Sequence, residues 1–320
     1  MTNKDKYIEF CRQKRDIPVF SQVWWMDAVC LKDNWDVLLY EKGNEILGAL
    51  PYYMKKKFGK YYIIMPPLTQ NNGVVIKYPE NQKYEQRLSY EKVIMTALIE
   101  QLEKLPIIYY QQRFCCDYTN WLPFYWKGYK QTTYYTYRIN SISDVESVFN
   151  DFDYSKKKNI KKASTQVNVF YDLSAEEFYE NHKLTLKKQN AVISYPFELF
   201  KRIYDAAYTE GNGRVIYCKD KQDNIHAALF VIWDKKVAYD LISTIDPDFR
   251  NSGAASLIVY EMIKNISPIV DIFDFEGSMI EMVENSFRKF GTKQTPYFVI
   301  NKIFTKNILL KLGIDYILNR

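Results

Sequence analysis

Two segments of the chain share one pattern of apolar and polar positions. The segment LLYEKGNEILGALPYYMKK begins at Leu38, and IYCKDKQDNIHAALFVIWDKK begins at Ile216. Each has an apolar run, a polar turn and a second apolar run that ends in lysines, which predicts a β-hairpin. A helical stretch and a short apolar strand follow in both halves, so the order of the predicted elements recurs.

A second repeat closes each half of the chain. GYKQTTY begins at Gly128 and GTKQTPY begins at Gly291, and five of the seven positions are identical. A glycine, a polar run and then aromatic or β-branched residues predict a turn that leads into a strand. Short hairpins also look alike in any chain rich in Tyr and Lys. Because two matched blocks occur in the same order, we interpret the chain as a duplicated α+β unit, with one domain at 1–150 and a second at 151–320.

The composition is that of a folded protein with sizeable cores. Of the 320 residues, 47% are hydrophobic and 17% are aromatic, which argues against disorder. No stretch reaches the ~20 apolar residues of a membrane span, and MTNKDKYIEF lacks the apolar core of a signal peptide. Five cysteines without a CxxC motif and two histidines support neither a disulfide framework nor a metal site. We therefore expect a cytoplasmic protein without a transmembrane segment or a bound metal.

Positive charge is concentrated in one segment. The net charge of +6 suits an anionic ligand such as a nucleotide or a tRNA, although solvated lysines explain the bulk of it. The segment SKKKNIKKAS, which begins at Ser155, places five lysines on a predicted helix. Such charge runs are usually solvated faces. We name Lys157 and Lys161 as candidate substrate-binding residues and expect no DNA partner.

A connection between a strand and a helix predicts an anion site. The strand VAYDLIST is followed by a turn around Pro247 and then by small residues that open the helix SLIVYEMI. Backbone N–H groups at the positive end of a helix dipole bind phosphate and pyrophosphate groups. A plain helix N-terminus with a side-chain cap explains the same residues. The candidate donor-binding residues are Arg250, Asn251, Ser252, Gly253, Ala254 and Ala255.

Two carboxylates end the next predicted strand. In VDIFDFEGS, an extended strand places Asp274 and Glu276 on one face and ends at Gly277. Ligands of open α/β sheets bind beyond the carboxyl ends of the strands. There Glu276 would act as a general base or orient an amine nucleophile. The alternative is that Asp274 pairs with a lysine and Glu276 caps a backbone group.

Together these elements resemble the GNAT-type N-acetyltransferase fold. The run from Arg250 to Ala255 is similar to that family's Arg/Gln-x-x-Gly-x-Gly/Ala pyrophosphate motif, with Ala in the last slot. Two such units in tandem resemble the FemAB-type transferases and their acetyltransferase-like relatives, in which a basic stretch precedes the second domain and an FDFEGS strand leads to F-x-x-FG. These motifs are Lys157 to Ala163, Phe273 to Ser278, and Phe287 to Gly291. FSQVWWMDAVC and PPLTQNNG resemble the first domain of this group, so the resemblance extends to most of the chain.

The resemblance implies a mixed α/β fold of two tandem GNAT-like acyl-CoA N-acyltransferase domains, each with a central mixed sheet flanked by helices. It also implies transfer of an acyl group to an amine, with no metal and no covalently bound cofactor. Because only the second half keeps the pyrophosphate motif, we expect that half to bind a CoA thioester as donor. The implied acceptor is an amine-bearing cell-envelope sugar or peptide precursor. The alternative is a FemAB-like transferase that takes its acyl group from aminoacyl-tRNA and acts on a peptidoglycan precursor.

The remaining candidates receive roles in this reaction. We expect Glu276 to be the base or orienting group, Tyr297 the acid, and Asp274 a reserve for Glu276. The loop PPLTQNNG of the first domain is expected to hold the acceptor through three side chains: Gln70, Asn71 and Asn72.

Two further interpretations stay open. A decayed transferase would be a binding module for a glycan or a protein, although the retained RNSGAA motif speaks against this. The segment KNILLKLGIDYIL alternates apolar residues with lysines, which is compatible with peripheral membrane contact. A C-terminal helix that docks on its own domain explains the same pattern.

Overall fold

The computed structural model of the chain describes residues 1–13, 16–277 and 279–305. It divides into two compact units. Unit 1 contains Met1–Tyr134 and Pro296–Arg320, as far as these are described, and unit 2 contains Tyr135–Thr295. The segment KNILLKLGIDYIL, expected to contact a membrane or to dock on its own domain, lies outside the described residues.

The first half of the chain builds most of unit 1 and ends in a strand that reaches unit 2. Its helices and strands are α1 (Asn3–Gln13), α2 (Val23–Cys30), β1 (Trp35–Lys42), β2 (Glu45–Lys57), β3 (Lys60–Ile64), β4 (Val75–Ile76), α3 (Tyr84–Leu102), β5 (Ile107–Arg113), α4 (Leu122–Trp126) and β6 (Lys130–Asn140). A short 3₁₀ helix spans Val19–Ser21.

The second half builds unit 2 and ends in a strand that returns to unit 1. Its elements are α5 (Val145–Asp151), α6 (Tyr154–Ala163), β7 (Asn168–Tyr171), α7 (Ala175–Lys188), α8 (Phe197–Thr209), β8 (Gly213–Lys219), β9 (Ile225–Trp233), β10 (Val237–Ile245), α9 (Ala254–Ile266), β11 (Ile272–Asp274), α10 (Glu281–Arg288) and β12 (Lys293–Ile303). A 3₁₀ helix, Pro247–Ser252, connects β10 to α9.

The strands of the two units follow one plan. In unit 1 the order is β1-β2-β3-β5-β12, where β3 and β5 are parallel and the other neighbours are antiparallel. In unit 2 the order is β8-β9-β10-β11-β6, where β10 and β11 are parallel and the others antiparallel. β4 adds to β2, and β7 adds to β8. The prediction of two tandem GNAT-like units, each with a mixed sheet, is confirmed.

The closing strands are exchanged between the two halves of the sequence. β6 follows Gly128 in the first half, yet its residues Arg138–Asn140 pair with β11 in unit 2. β12 follows Gly291 in the second half, yet its residues Val299–Ile303 pair with β5 in unit 1. Both glycines have positive φ, 77° and 69°, so the repeated motif is a left-handed turn into a strand in each case. The repeat predicted these strands but not the sheet that each would join.

Each unit has its own hydrophobic core under one helix. In unit 1, α3 buries Ile94, Leu98 and Leu102 at a spacing of four residues. In unit 2, α9 buries Leu257, Ile258, Met262, Ile263 and Ile266. This spacing keeps the apolar residues on one face of the helix, and burial of each such side chain contributes about 1.5–3 kcal/mol. The helix in unit 2 is thus firmly held on the sheet that carries the candidate site.

Candidate active site

The start of α9 is an exposed turn followed by a left-handed glycine. Gly253 has φ 83° and is the N-terminal cap of the helix. The N–H groups of Ser256 and Leu257 donate to the Gly253 carbonyl oxygen at 3.0 and 3.2 Å, which are the first bonds of the helix. The N–H groups before Ser256 therefore lie at the positive end of the helix dipole. Such an end is suited to an anion.

The basic helix α6 packs directly against this start. A side chain at Gly253 would lie 2.9 Å from the Cα of Asn159 and closer still to its carbonyl oxygen. Lys162 donates from Nζ to the Asn251 carbonyl oxygen at 2.7 Å. The glycine is thus required by the close approach of α6. Its predicted contact with a ligand stays a prediction.

The six residues of the predicted donor motif differ in exposure. Arg250 and Asn251 are exposed, Ala255 is half-buried, and the three residues between them are buried. Ser252 accepts a hydrogen bond through Oγ from the N–H of Ala254 at 3.2 Å. The Arg250 guanidinium donates to Gln189 Oε1 at 3.3 Å. Charge therefore reaches solvent at the front of the motif, and the small residues pack behind it.

The lysines of α6 divide between packing and solvent. Lys156 donates to Ser286 Oγ at 2.9 Å and lies 4.0 Å from the centre of the Phe290 ring. Burial and the charge of Lys289 lower the pKa of Lys156 to about 8. Lys157, a predicted substrate ligand, donates to the Asn150 carbonyl oxygen at 2.6 Å. Lys161, the other predicted ligand, is exposed, as is Lys162. Sequence reasoning missed Lys162, and only the contact with Asn251 distinguishes it from its neighbours.

Asp274 is engaged in the interior of unit 2. Its side chain is 0% exposed. Oδ2 accepts from Arg138 Nε at 2.6 Å, and Oδ1 accepts from the Thr136 hydroxyl and from the Glu276 N–H, the latter at 2.8 Å. The partner is thus an arginine on β6, and not the lysine that the sequence suggested. A buried ion pair of this kind is satisfied only when hydrogen bonds complete it, as they do here.

Glu276 does not share a strand face with Asp274. The strand ends at Asp274, and Glu276 and Gly277 follow with φ 58° and 67°. A side chain at Gly277 would lie 2.6 Å from the Cα of Thr136, so only glycine lets the chain approach β6 this closely. The expected alternation is therefore wrong, because two left-handed residues turn the chain out of the strand. A left-handed conformation is unfavourable for a residue other than glycine, so the surrounding fold holds Glu276 in a strained backbone.

A second buried acid lies where β10 and β11 part, and sequence reasoning missed it. The last pair between these strands is Tyr239 with Asp274, whereas β10 continues to Ile245. A β-bulge follows at once, between Asp240 and Ile242. Asp240 is 7% exposed and accepts at Oδ1 from the hydroxyl of the exposed Ser243 at 2.5 Å. The available signal was a lone acid in the apolar run VAYDLIST.

The pKa of Asp240 is raised to about 7. Burial is the main cause, because it disfavours the charged carboxylate. The hydrogen bond from Ser243 opposes this shift, and the negative charge of Asp274 adds to it. A carboxyl group that titrates near neutral pH is able to take up or release a proton during a reaction.

The remaining predicted residues lie in unit 1. Tyr297 is buried and packs edge-on against Tyr134, with the ring centres 6.0 Å apart. Because Tyr297 belongs to unit 1 and Glu276 to unit 2, their joint action as acid and base stays a prediction.

The loop that was expected to hold the acceptor is buried in the fold. Gln70, Asn71 and Asn72 are all buried. Asn72 donates through Nδ2 to the Phe20 carbonyl oxygen at 2.8 Å and accepts at Oδ1 from Gln112 at 2.7 Å. Its N–H also donates to the Arg113 carbonyl oxygen at 2.7 Å. These contacts give the loop a structural function, and its contact with an acceptor stays a prediction.

Among the residues that the structure describes, Cys115, Cys116 and Asp117 are grouped as potential metal ligands, with their ligand atoms within 4.8 Å of one another. They are consecutive in the sequence, so one short turn supplies all three.

No helix in the described ranges is long and apolar enough to cross a membrane.

A family model described as an acetyltransferase (GNAT) domain matches residues 152–275. The match contains α6, the bulged strand β10, α9 and β11, and with them the start of α9, Asp240 and Asp274. Glu276 and Tyr297 lie beyond it. Residues 152–275 are thus similar to a GNAT-type acetyltransferase domain. Domains of this family generally use acyl-CoA as co-substrate and an amine as acceptor. The chain is therefore an acyltransferase. No curated protein matches it.

Solved structures are similar to nearly the whole chain. FemX matches with a TM-score of 0.70 at 13% identity, over 93% of this chain and 96% of FemX. A conserved protein of unknown function from Bacteroides thetaiotaomicron VPI-5482 matches with a TM-score of 0.59 at 13% identity, over 94% and 97%. The C-terminal domain of a protein described as a lysylphosphatidylglycerol synthetase from Agrobacterium fabrum matches with a TM-score of 0.54 at 9% identity, over 93% and 92%. At such low identity the similarity is one of fold, and the chain shares its fold with these three structures.

Proposed function

We propose that the chain is an N-acyltransferase that moves an acyl group from a CoA thioester to an amine on a cell-envelope sugar or peptide precursor. The start of α9 carries this proposal, because a helix N-terminus, a left-handed glycine and a basic helix meet there. The pyrophosphate of CoA carries two negative charges in the positions that such a start favours. Arg250 and Lys162 add positive charge on the exposed side of the turn.

The reaction is a direct transfer in one active site. The lone pair of the acceptor amine attacks the thioester carbonyl carbon, the C–S bond breaks, and the CoA thiolate leaves with a proton. Backbone N–H groups of β10, at the point where it parts from β11, polarise the thioester carbonyl. Glu276 orients the incoming amine or accepts its proton. Binding and positioning of both substrates supply much of the rate enhancement.

The similarity of the fold to FemX supports aminoacyl-tRNA as an alternative donor. A FemAB-like transferase takes an aminoacyl group from tRNA and adds it to a peptidoglycan precursor, and the same attack by an amine on an activated carbonyl then applies. The two candidates differ in the donor and share the acceptor chemistry. A chain that had lost catalysis would bind a glycan or a protein and transfer nothing.

Calorimetric titration with CoA separates these candidates. We expect the wild-type protein to bind CoA and the Lys162→Glu variant to bind it about tenfold or more weakly, since the variant reverses a charge beside the pyrophosphate. Lys235→Glu is the matched control. Lys235 is exposed at the other end of β10, roughly 30 Å from α9 by the rise of a nine-residue strand. It should bind CoA like the wild type.

Transfer assays then decide the donor. Wild-type protein is incubated with labelled acetyl-CoA or labelled aminoacyl-tRNA and a panel of amine acceptors, and the product is identified by mass spectrometry. Transfer from aminoacyl-tRNA together with no CoA binding contradicts our choice of donor. No transfer from either donor, with glycan or protein binding retained, would favour the decayed module.

A further inference from the structure

The gap between β10 and β11 contains a buried carboxyl group that is connected to solvent by one hydroxyl. Asp240 is the first residue of β10 beyond its last pair with β11. The bulge at Leu241 breaks the ladder to β9 at the same point, which re-aims the side chains around it. Ser243 is exposed and donates its hydroxyl hydrogen to Asp240. A polar path of two side chains therefore leads from the surface into the sheet.

The charged and titratable groups on the elements around β10 are largely engaged elsewhere. On β11, Asp274 is bridged to Arg138 of β6. On α7, His182 is hydrogen bonded to Tyr195 at 2.8 Å, and Lys188 is paired with Asp246 and Asp248 at 2.7 and 2.6 Å. Burial and Asp274 both favour the protonated form of Asp240, so its pKa rises to about 7. It therefore changes charge in the range where an enzyme of the cytoplasm operates.

We propose that Asp240, acting through the hydroxyl of Ser243, accepts the proton that the acceptor amine loses during acyl transfer. This rests on the proposed N-acyltransferase function and assigns its proton acceptor. As the N–C bond forms and the C–S bond breaks, the nitrogen gives its proton to Ser243 Oγ. Ser243 passes its own hydrogen to Asp240 Oδ1 along the existing hydrogen bond. Glu276, which lies outside the strand, then orients the amine and need not titrate. The next cycle begins when Asp240 returns its proton to solvent by the same path.

The positions of Asp240, Asp274 and Glu276 favour Asp240 as the proton acceptor. Asp274 is held by Arg138, Thr136 and the Glu276 N–H, so its carboxylate is committed to the fold. Glu276 follows the end of β11 in a left-handed conformation. Asp240 combines burial with a hydrogen bond from an exposed hydroxyl. A proton acceptor whose pKa lies near the working pH is the most effective one.

The first test needs no substrate. Infrared difference spectra of the wild-type protein between pH 5 and 9 should show the C=O band of a protonated carboxyl group that disappears near pH 7. In Asp240→Asn this band should be absent, and in the control Asp271→Asn it should remain, since Asp271 is an exposed acid just before β11. A wild-type spectrum without this titration overturns the proposal, whichever donor the enzyme uses.

The second test measures turnover against pH with the donor identified by the transfer assays. An acceptor must be ionised to act, so kcat/KM of the wild type should rise as the pH increases through about 7 and then level. Asp240→Asn should lose about 100-fold or more in kcat and lose this ascending limb. Ser243→Ala should lose about tenfold, and Ser243→Thr, which keeps the hydroxyl, should recover most of it.

Measurements of donor binding distinguish a failure of the proton-acceptor proposal from a failure of the proposed acyltransferase function. Asp240→Asn and Ser243→Ala should bind CoA like the wild type, because neither residue belongs to the α9 start. If CoA binds and transfer proceeds while Asp240→Asn keeps the limb near pH 7, the proton path is wrong and the acyltransferase function stands. If CoA does not bind but aminoacyl-tRNA serves, the function is revised and the same pH comparison still tests Asp240. A wild-type protein that transfers from neither donor overturns both.

Discussion

Units 1 and 2 have the same strand order, but the connection from the third strand to the following helix differs between them. In unit 2, β10 leads through one 3₁₀ helix and Gly253 straight into α9. In unit 1, the chain leaves β3 at Ile64 and reaches α3 only at Tyr84. On the way, Asn72 bonds back to the end of β5 at Arg113. The same strand order therefore does not fix how the third strand leads into the following helix, and in unit 2 this connection is short and ends in a left-handed glycine.

The polar groups beside the central strand also differ between the two units. In unit 1 the buried polar residue of β5 is Gln112, a neutral amide that donates to Asn72 and to the Pro51 carbonyl oxygen. In unit 2 the strands carry the ion pair of Asp274 with Arg138, and Asp240 close by. Unit 1 also buries a charge, Glu91, but this residue lies on α3 and is paired with Arg87. The difference between the units is therefore in the polar groups beside the central strand, and burial of charge there costs free energy unless it is paired. Variants in the two units test this difference.

The largest effect is expected from Arg138→Met. The variant leaves Asp274 buried without its cation, which typically costs about 3–5 kcal/mol in the free energy of unfolding. The corresponding change in unit 1, Gln112→Met, removes only neutral hydrogen bonds and should cost about 1–3 kcal/mol. Urea denaturation measures both. Equal losses in the two variants would contradict the contrast between an ion pair and a neutral amide beside the central strand.

Asp240→Asn should stabilise the fold, and more so at high pH. The pKa of Asp240 is about 7 in the folded protein against an ordinary value of 3.8, so the folded state holds the proton more tightly. The wild type therefore loses stability as the pH rises from about 4 to 7 and levels above both values. Since one pKa unit corresponds to about 1.4 kcal/mol, the variant should gain on the order of 4 kcal/mol at pH 8 and almost nothing at pH 4. Denaturation curves at the two pH values check this, and a gain that does not change with pH would contradict it.

The repeated glycines test the two copies directly. Gly291→Ala should cost about 2–3 kcal/mol, because it adds a side chain 2.9 Å from Asp151 at a position with positive φ. Gly128→Ala has the same conformation but no atom within 4 Å, so backbone strain of about 1 kcal/mol is the whole cost. The difference is read from thermal or urea unfolding. Similar losses would mean that the two turns are packed alike.

A smaller effect than that of Gly291→Ala is expected from Asn72→Ala in unit 1. It removes hydrogen bonds to Phe20 and Gln112 and should cost about 1–2 kcal/mol. If the loop is structural, KM for the acceptor stays at the wild-type value at a temperature where the variant is folded. A rise in that KM, with the KM for the donor unchanged, would support the predicted contact between the loop and the acceptor.

The sequence was sufficient for features that depend on local pattern. The matched hairpins, the glycines that open the closing strands, and the turn at Gly253 all arise from periodicity and from residues that adopt positive φ. Each of these signals lies within about twenty consecutive residues, so it can be recognised without knowledge of the rest of the fold. The sequence also located β11, although it predicted a strand that continues to Gly277 and the structure ends it at Asp274.

Tertiary structure alone decided which distant residues meet. Asp274 is paired with Arg138, which lies 136 residues earlier, and the exchange of β6 and β12 between the units is equally long-range. Two similar closing strands offer similar hydrogen-bonding edges, so the sequence of either strand does not state which sheet it joins. The importance of Asp240 also stayed hidden, since a lone acid in an apolar strand shows neither its depth nor its neighbours. Burial, and with it the pKa that makes Asp240 a candidate proton acceptor, is a property of the assembled sheet.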